Sequence, residues 1–238
     1  MLSDRRQLVL GALIEEYVAR AMPVGSRTLT ENYNFGVSSA TIRNELSALE
    51  DEGYISQPHV SAGRIPTDHG YRAFVDRLIE QGVIEDTPQT TEAVNELRRN
   101  AQEIDDLAAR TSELLARLTD CLSIVTAPDL SRAHRLGMSA LMRQPEFMYT
   151  QSLLPIMQVL EDDMVLLQLL DSSAEDERPR VHIGSENEAE QLQGVSVVAS
   201  RYGFGDSEGI VAVIGPTRMD YSKVLQAVRM AARTLADD

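Results

Sequence analysis

Three helical stripes separated by turn signals, then a short two-strand pattern, constrain residues 1–80 more than any other feature of this chain. Leu10, Leu13, Ile14, Tyr17, Val18 and Ala21 recur at helical spacing behind Ser3, a residue that can cap. Pro23 predicts the end of that helix, because it lacks an N–H and pushes Met22 toward extended geometry. Gly25-Ser26 opens a second helix with Leu29 and Tyr33 on one face, and Asn34-Phe35-Gly36 reads as a turn. Ser38 caps a third helix, with Val37 placed to staple onto Ile42 and with Ile42, Leu46 and Leu49 as its buried stripe. Tyr54–Gln57 and Arg64–Pro66 read as strands around a tip that bears Gly63, and Thr67 caps a helix carrying Tyr71, Phe74, Val75, Leu78 and Ile79. That order is the order of a winged helix-turn-helix.

The remainder alternates differently. Residues 82–90 read as a linker, followed by a long amphipathic helix to about residue 121. Leu97, Ala101, Ile104, Ala108, Thr111, Leu115, Leu118 and Leu122 alternate spacings of four and three, as in a heptad seam. Two readings fit that stripe: a coiled-coil dimer seam, or a helix lying on its own domain. Leu122–Thr126, Val181–Gly184, Val195–Ala199 and Ile210–Ile214 are strand-like. Residues 151–171 are apolar at helical spacing, Ser172–Arg180 reads as an acidic surface loop, and a last helix is expected from about Asp220 to Leu235. The fold class expected is α+β: a winged helix-turn-helix over 1–81, a linker and long helix over 82–121, and an α/β domain over 122–238.

Charge and cysteine usage narrow the functions. The net charge is −15, with 22 basic and 37 acidic residues. Residues 1–80 hold 8 Arg against 11 Asp and Glu, so most of the acid lies further along. Any phosphate contact must therefore come from a few arginines gathered on one face. Aromatics make up 5% and Trp is absent, which disfavours stacking platforms for single strands. A lone cysteine, Cys121, excludes an internal disulfide and a cysteine-based zinc site. The N-terminus does not read as a signal peptide and no run is apolar enough to span a bilayer, so a cytoplasmic address is expected. No Gly-rich phosphate loop, HExxH motif or nucleophile elbow argues for an enzyme, and no cofactor or metal is expected.

The candidate site is a DNA-reading face. At 100° per residue Ala40, Asn44 and Ser47 point away from the Ile42 stripe, flanked by Thr41 and Arg43. Arg43 suits a bidentate contact to guanine, Asn44 one to adenine, and Ala40 and Thr41 a thymine methyl. Ser38 and Ser39 open that helix. Ser26, Arg27 and Thr28 sit at the second helix's N-terminus, where free N–H groups suit phosphate. His59, Ser61 and Arg64 decorate the wing, and Gly63 is expected to let it turn tightly.

Three stretches carry a family resemblance. They are Pro23-Val24-Gly25-Ser26-Arg27-Thr28-Leu29, Val37-Ser38-Ser39-Ala40-Thr41-Ile42-Arg43-Asn44-Glu45-Leu46, and Gln57-Pro58-His59-Val60-Ser61-Ala62-Gly63-Arg64-Ile65-Pro66-Thr67. Gly70–Asp76, Gln144-Pro145-Glu146-Phe147 and Ile214-Gly215-Pro216-Thr217-Arg218-Met219-Asp220-Tyr221 extend it. Together they resemble the HrcA family of heat-inducible transcription repressors. The resemblance implies a repressor of chaperone operons that binds an inverted-repeat operator in double-stranded DNA as a homodimer and is released on heat stress. It also implies a GAF-like C-terminal domain carrying an inserted dimerisation domain, and the chaperonin as a partner. Family members are longer. The segment between Val125 and Gln144 is too short for the inserted domain, so the GAF-like domain is expected in reduced form, and the seam ending at Leu122 becomes the substitute dimer interface. The alternative is a winged-helix regulator of a non-heat-shock operon that senses a small molecule.

Overall fold

The computed structural model describes residues 2–59, 62–82, 104–128, 132–174, 178–204 and 207–236, in two compact units, Met1–Gln81 and Gly82–Asp238. The expected linker beyond Gly82, the seam residues Leu97 and Ala101, and Ser61 lie outside the described residues.

In the N-terminal unit, α1 (Asp4–Arg20), α2 (Ser26–Asn32) and α3 (Ser39–Asp51) precede a hairpin, β1 (Ile55–Ser56) and β2 (Ile65–Pro66), and then α4 (Asp68–Glu80). Side chains open three of these helices. Ser3 accepts from the Arg6 N–H, Ser38 from the Thr41 N–H, and Thr67 from the Gly70 N–H. Helix α1 stops at Arg20, where Ala21 turns left-handed with φ 51° and donates to the Tyr17 carbonyl. Ala21 is thus outside the stripe expected for it. Tyr33 likewise is the extended C-cap of α2 rather than part of its face. Leu10, Leu13, Ile14, Leu29, Ile42, Leu46, Leu49, Ile55 and Val75 form the core. Burial of each such side chain contributes about 1.5–3 kcal/mol before chain entropy is counted.

The C-terminal unit holds a five-stranded antiparallel sheet in the order β4-β3-β7-β6-β5. Its strands are β3 (Leu122–Thr126), β4 (Ala133–Leu136), β5 (Arg180–Ile183), β6 (Val195–Phe204) and β7 (Ser207–Pro216). Helix α5 (Ile104–Thr119) precedes them, α6 (Met138–Met142), α7 (Thr150–Glu161) and α8 (Asp163–Ser173) run between them, and α9 (Tyr221–Ala236) comes last. Both faces of the sheet are covered. Leu122, Ile124, Val195, Val197, Ile210, Ala212 and Ile214 share a core with Ile156, Leu160, Leu166 and Leu170 of α7 and α8. Helices α5 and α9 pack on each other and on the sheet. Burial on both faces explains why these strands read as unbroken apolar runs. Tyr202 stands opposite Gly209 in the β6–β7 register, where a Cβ would lie 2.3 Å from the tyrosine Cζ.

Two expectations are corrected here. The long helix ends at Thr119, and Leu122 is a strand residue, because Asp120 takes φ 50° and breaks the helix. Nor is the described part of the seam free. Ala108, Thr111 and Leu115 are buried within their own unit, where Ser112 meets Ser123 across to β3 at 3.2 Å. The stripe from Ala108 onward therefore belongs to the second reading, a helix lying on its own domain. In addition, the apolar run 151–171 is two helices, parted at Asp162, whose side chain caps α8.

Candidate nucleic-acid interface

Helix α3 is amphipathic in an unusual sense. Its inner positions, Ile42, Leu46 and Leu49, are fully buried, while Ser38, Ser39, Ala40, Arg43, Asn44 and Ser47 are exposed and Thr41 is half-buried. Up to Ser47 the exposed surface is made of small and hydrogen-bonding groups, and Asp51 is the exposed acid at the helix end. Among the described residues Arg43 and Arg77 have no acidic partner, in a unit where Arg5, Arg6, Arg20, Arg27, Arg64 and Arg72 all have one. An unpaired guanidinium on a solvent-facing helix costs nothing to keep and is ready to meet an acceptor pair.

Helix α3 is also clamped from behind. Glu45 receives Arg6 Nε at 3.1 Å and Arg5 Nη1 at 3.6 Å from α1, and Arg6 reaches Glu52 as well. Arg64, just ahead of β2, places Nε 3.1 Å and Nη2 3.0 Å from a single oxygen of Glu50. Its side chain is only 17% exposed. Arg64 is thus turned toward α3 rather than outward. These acidic partners were missed in the sequence, where nothing local couples Glu50 to a residue on the far side of the hairpin loop.

The hairpin is held at its base as well. The Val24 N–H donates to the Arg64 carbonyl at 2.9 Å, and the Arg64 N–H returns a bond to Val24 at 2.8 Å. At Gly63 a Cβ would sit 2.6 Å from the Val24 carbonyl carbon, so this glycine serves a close backbone approach. The expected role, a tight turn at the tip, is corrected accordingly. His59 is exposed.

At the start of α2, Ser26 and Thr28 are half-buried and Arg27 is 90% exposed, with Nε 2.8 Å from Glu31. An exposed i,i+4 pair of this kind is worth little and is readily exchanged for a stronger anion.

In the C-terminal unit, Arg218 joins two of the resembling stretches by bonding Glu146 and, at 2.9 Å, Gln144. Cys121 is buried beside Gly215, and burial together with Asp120 pushes its thiol up to about 12. No helix among the described residues is long and apolar enough to cross a membrane.

The HrcA protein C terminal domain model matches residues 131–225. A heat-inducible transcription repressor HrcA from Streptomyces avermitilis is 33% identical over 332 aligned positions, covering 98% of this chain and 97% of the relative. The chain belongs to the HrcA family. The namesake from Frankia casuarinae is 32% identical over 336 positions, covering 100% of this chain and 98% of its own. These alignments exceed the 238 residues present, so stretches of the longer HrcA relatives have no counterpart here. A crystal structure described as a hypothetical protein has TM-score 0.82 and 20% identity, covering 99% of this chain and 96% of its own. Both of these curated relatives carry the name of transcription repressors.

Proposed function

We propose that this chain represses heat-shock chaperone operons by binding an inverted-repeat operator as a homodimer in the cytoplasm, and that heat stress releases it. The N-terminal unit acts as a winged helix-turn-helix, with α3 in the major groove and the hairpin as wing. Arg43 and Asn44 read base edges, assisted by Ala40, Thr41 and Ser47, while Ser38 and Ser39 set the start of the helix. Ser26, Arg27 and Thr28 meet phosphate, and His59 and Ser61 follow the backbone from the wing. Gly63 and Arg64 enter as the base that holds the wing. The C-terminal unit is a reduced GAF-like domain without the inserted dimerisation domain, and the chaperonin is the partner that sustains repression.

The observation that carries this reading is the two-sided α3: three fully buried aliphatics on one side, and on the other, from Ser39 to Ser47, an uncharged polar surface with one unpaired arginine, followed by Asp51 at the helix end. A solvated helix ordinarily carries Glu and Lys there. Footprinting of the purified chain on DNA upstream of the organism's chaperonin genes is the test. Protection of a long inverted repeat is expected. Protection only at other promoters removes the heat-shock assignment, and no protection anywhere overturns DNA reading by α3.

A further inference from the structure

Among the described residues of the C-terminal unit, exposed apolar side chains gather in a strip along and at the ends of one helix. Among the described residues, the large apolar side chains exposed in this unit all fall between Leu136 and Val165. Five of them follow α7: Met148 (75%) and Tyr149 (76%) at its start, Leu154 on its outer side, and Met164 (78%) and Val165 just past its end. Twelve residues of helix set the two ends about 18 Å apart. From Phe147 to Leu160 the sequence carries no Asp, Glu, Lys or Arg, although the whole chain has net charge −15. Gln151 and Gln158, exposed beside Leu154, are neutral too. A surface helix normally turns charge outward. One that turns Leu and Gln outward, with exposed Met and Tyr at its start and Met and Val just past its end, marks a contact surface.

We infer that this strip is the homodimer interface, with α7 packed antiparallel on α7 of a second copy. The inference rests on the proposed action as a dimer. Charge selects the occupant. Residues 81–238 hold 14 basic and 26 acidic residues, so two copies repel unless they meet on a neutral surface. Across a two-fold axis, Glu161 at the end of one α7 faces the uncharged first turn of its mate, where helix N–H groups favour an acid. The strip is thus complementary to itself. Anionic lipid is a poor fit, because the flanking charges are Glu146, Glu161, Asp162, Asp163 and Asp171 against a single base, Arg143, which is paired with Asp120. Helices α5 and α9 cannot substitute, since Leu115, Val224, Leu225 and Val228 are spent on their own unit.

Sedimentation of the full chain, alone and with Leu154→Glu or Gln158→Glu, tests the assignment. Gln158→Glu changes one exposed polar side chain to another, so it keeps the test open even where Leu154→Glu disturbs folding. The parent is expected to sediment as a dimer. Both variants are expected to dissociate at least tenfold more readily with unchanged circular dichroism, and to lose the inverted repeat while keeping the parent's weak affinity for a single half-site. A dimeric parent with equally dimeric, native-like variants overturns the strip and leaves dimeric repression standing. A parent that protects the operator as a monomer overturns both.

Discussion

Arg64 looks like a phosphate contact in the sequence and like a strut in the structure, and the two roles predict different measurements. At about 4 Å separation and an effective dielectric of ~20, the gross attraction between its guanidinium and Glu50 is about 4 kcal/mol. Much of this is offset. Exposed pairs net about 0–1 kcal/mol, while opening a buried pair costs about 3–5. With side chains 17% and 31% exposed, and both donors on one oxygen, this pair lies between those limits. A double-mutant cycle of Arg64→Ala, Glu50→Gln and their combination, read by urea unfolding, should return a coupling of about 1–2 kcal/mol. On operator DNA the two single variants should weaken binding alike, the double variant no further, and the slope of log affinity against log salt should stay put. Arg64 sets the hairpin against α3 through Glu50, so removing either end loosens the same joint. The reasoning is refuted if Arg64→Ala alone lowers the salt slope by about one while Glu50→Gln binds like the parent, because that is the mark of a lost phosphate contact.

Arg43→Ala and Asn44→Ala should each lose about 1–3 kcal/mol of specific binding and relax one position per half-site, with non-specific affinity unchanged in gel-shift competition. Arg27→Ala should lower the salt slope by about one, whereas Glu31→Gln, which frees Arg27 and removes a negative charge, should tighten binding in the same titration. Leu115→Glu buries a carboxylate within the C-terminal unit, so thermal unfolding should show a loss of several kcal/mol or an insoluble protein rather than a folded monomer. Cys121, with its thiol held up to about 12 by burial, should be silent to a disulfide reagent at pH 8 in the native protein and react on unfolding, where the ordinary thiol value returns.

What was legible in the sequence is what depends on near neighbours. Ser3, Ser38 and Thr67 announce their helices because a hydroxyl reaches an N–H three residues on, and the outward face of α3 follows from its 100° spacing alone. What depends on distant pairing was not. Strand β4, Ala-His-Arg-Leu, is three half-buried residues and an exposed one, with no alternation, and it is a strand because Ser123 to Thr126 lie beside it. Leu122 continues a four-three spacing across a chain reversal that only Asp120's backbone reveals. Arg64 shows its type but not its direction, since the carboxylate that turns it inward lies fourteen residues back on another element.

The Tyr202–Gly209 pairing bears on the order in which the sheet assembles. Strands β6 and β7 are joined by a short connection and pair over ten residues, so their contacts close small loops and form early. A slip of one residue would set Glu208 or Ile210 where the tyrosine ring needs bare backbone, so the ring rejects the wrong alignments as the hairpin zips. Strand β3 must instead come back across some ninety residues of chain to lie along β7, from Leu122 to Ile214. The late and entropically costly step thus finds a finished edge of fixed alignment to dock on, and one aromatic ring sets the alignment on which the sheet of the C-terminal unit closes.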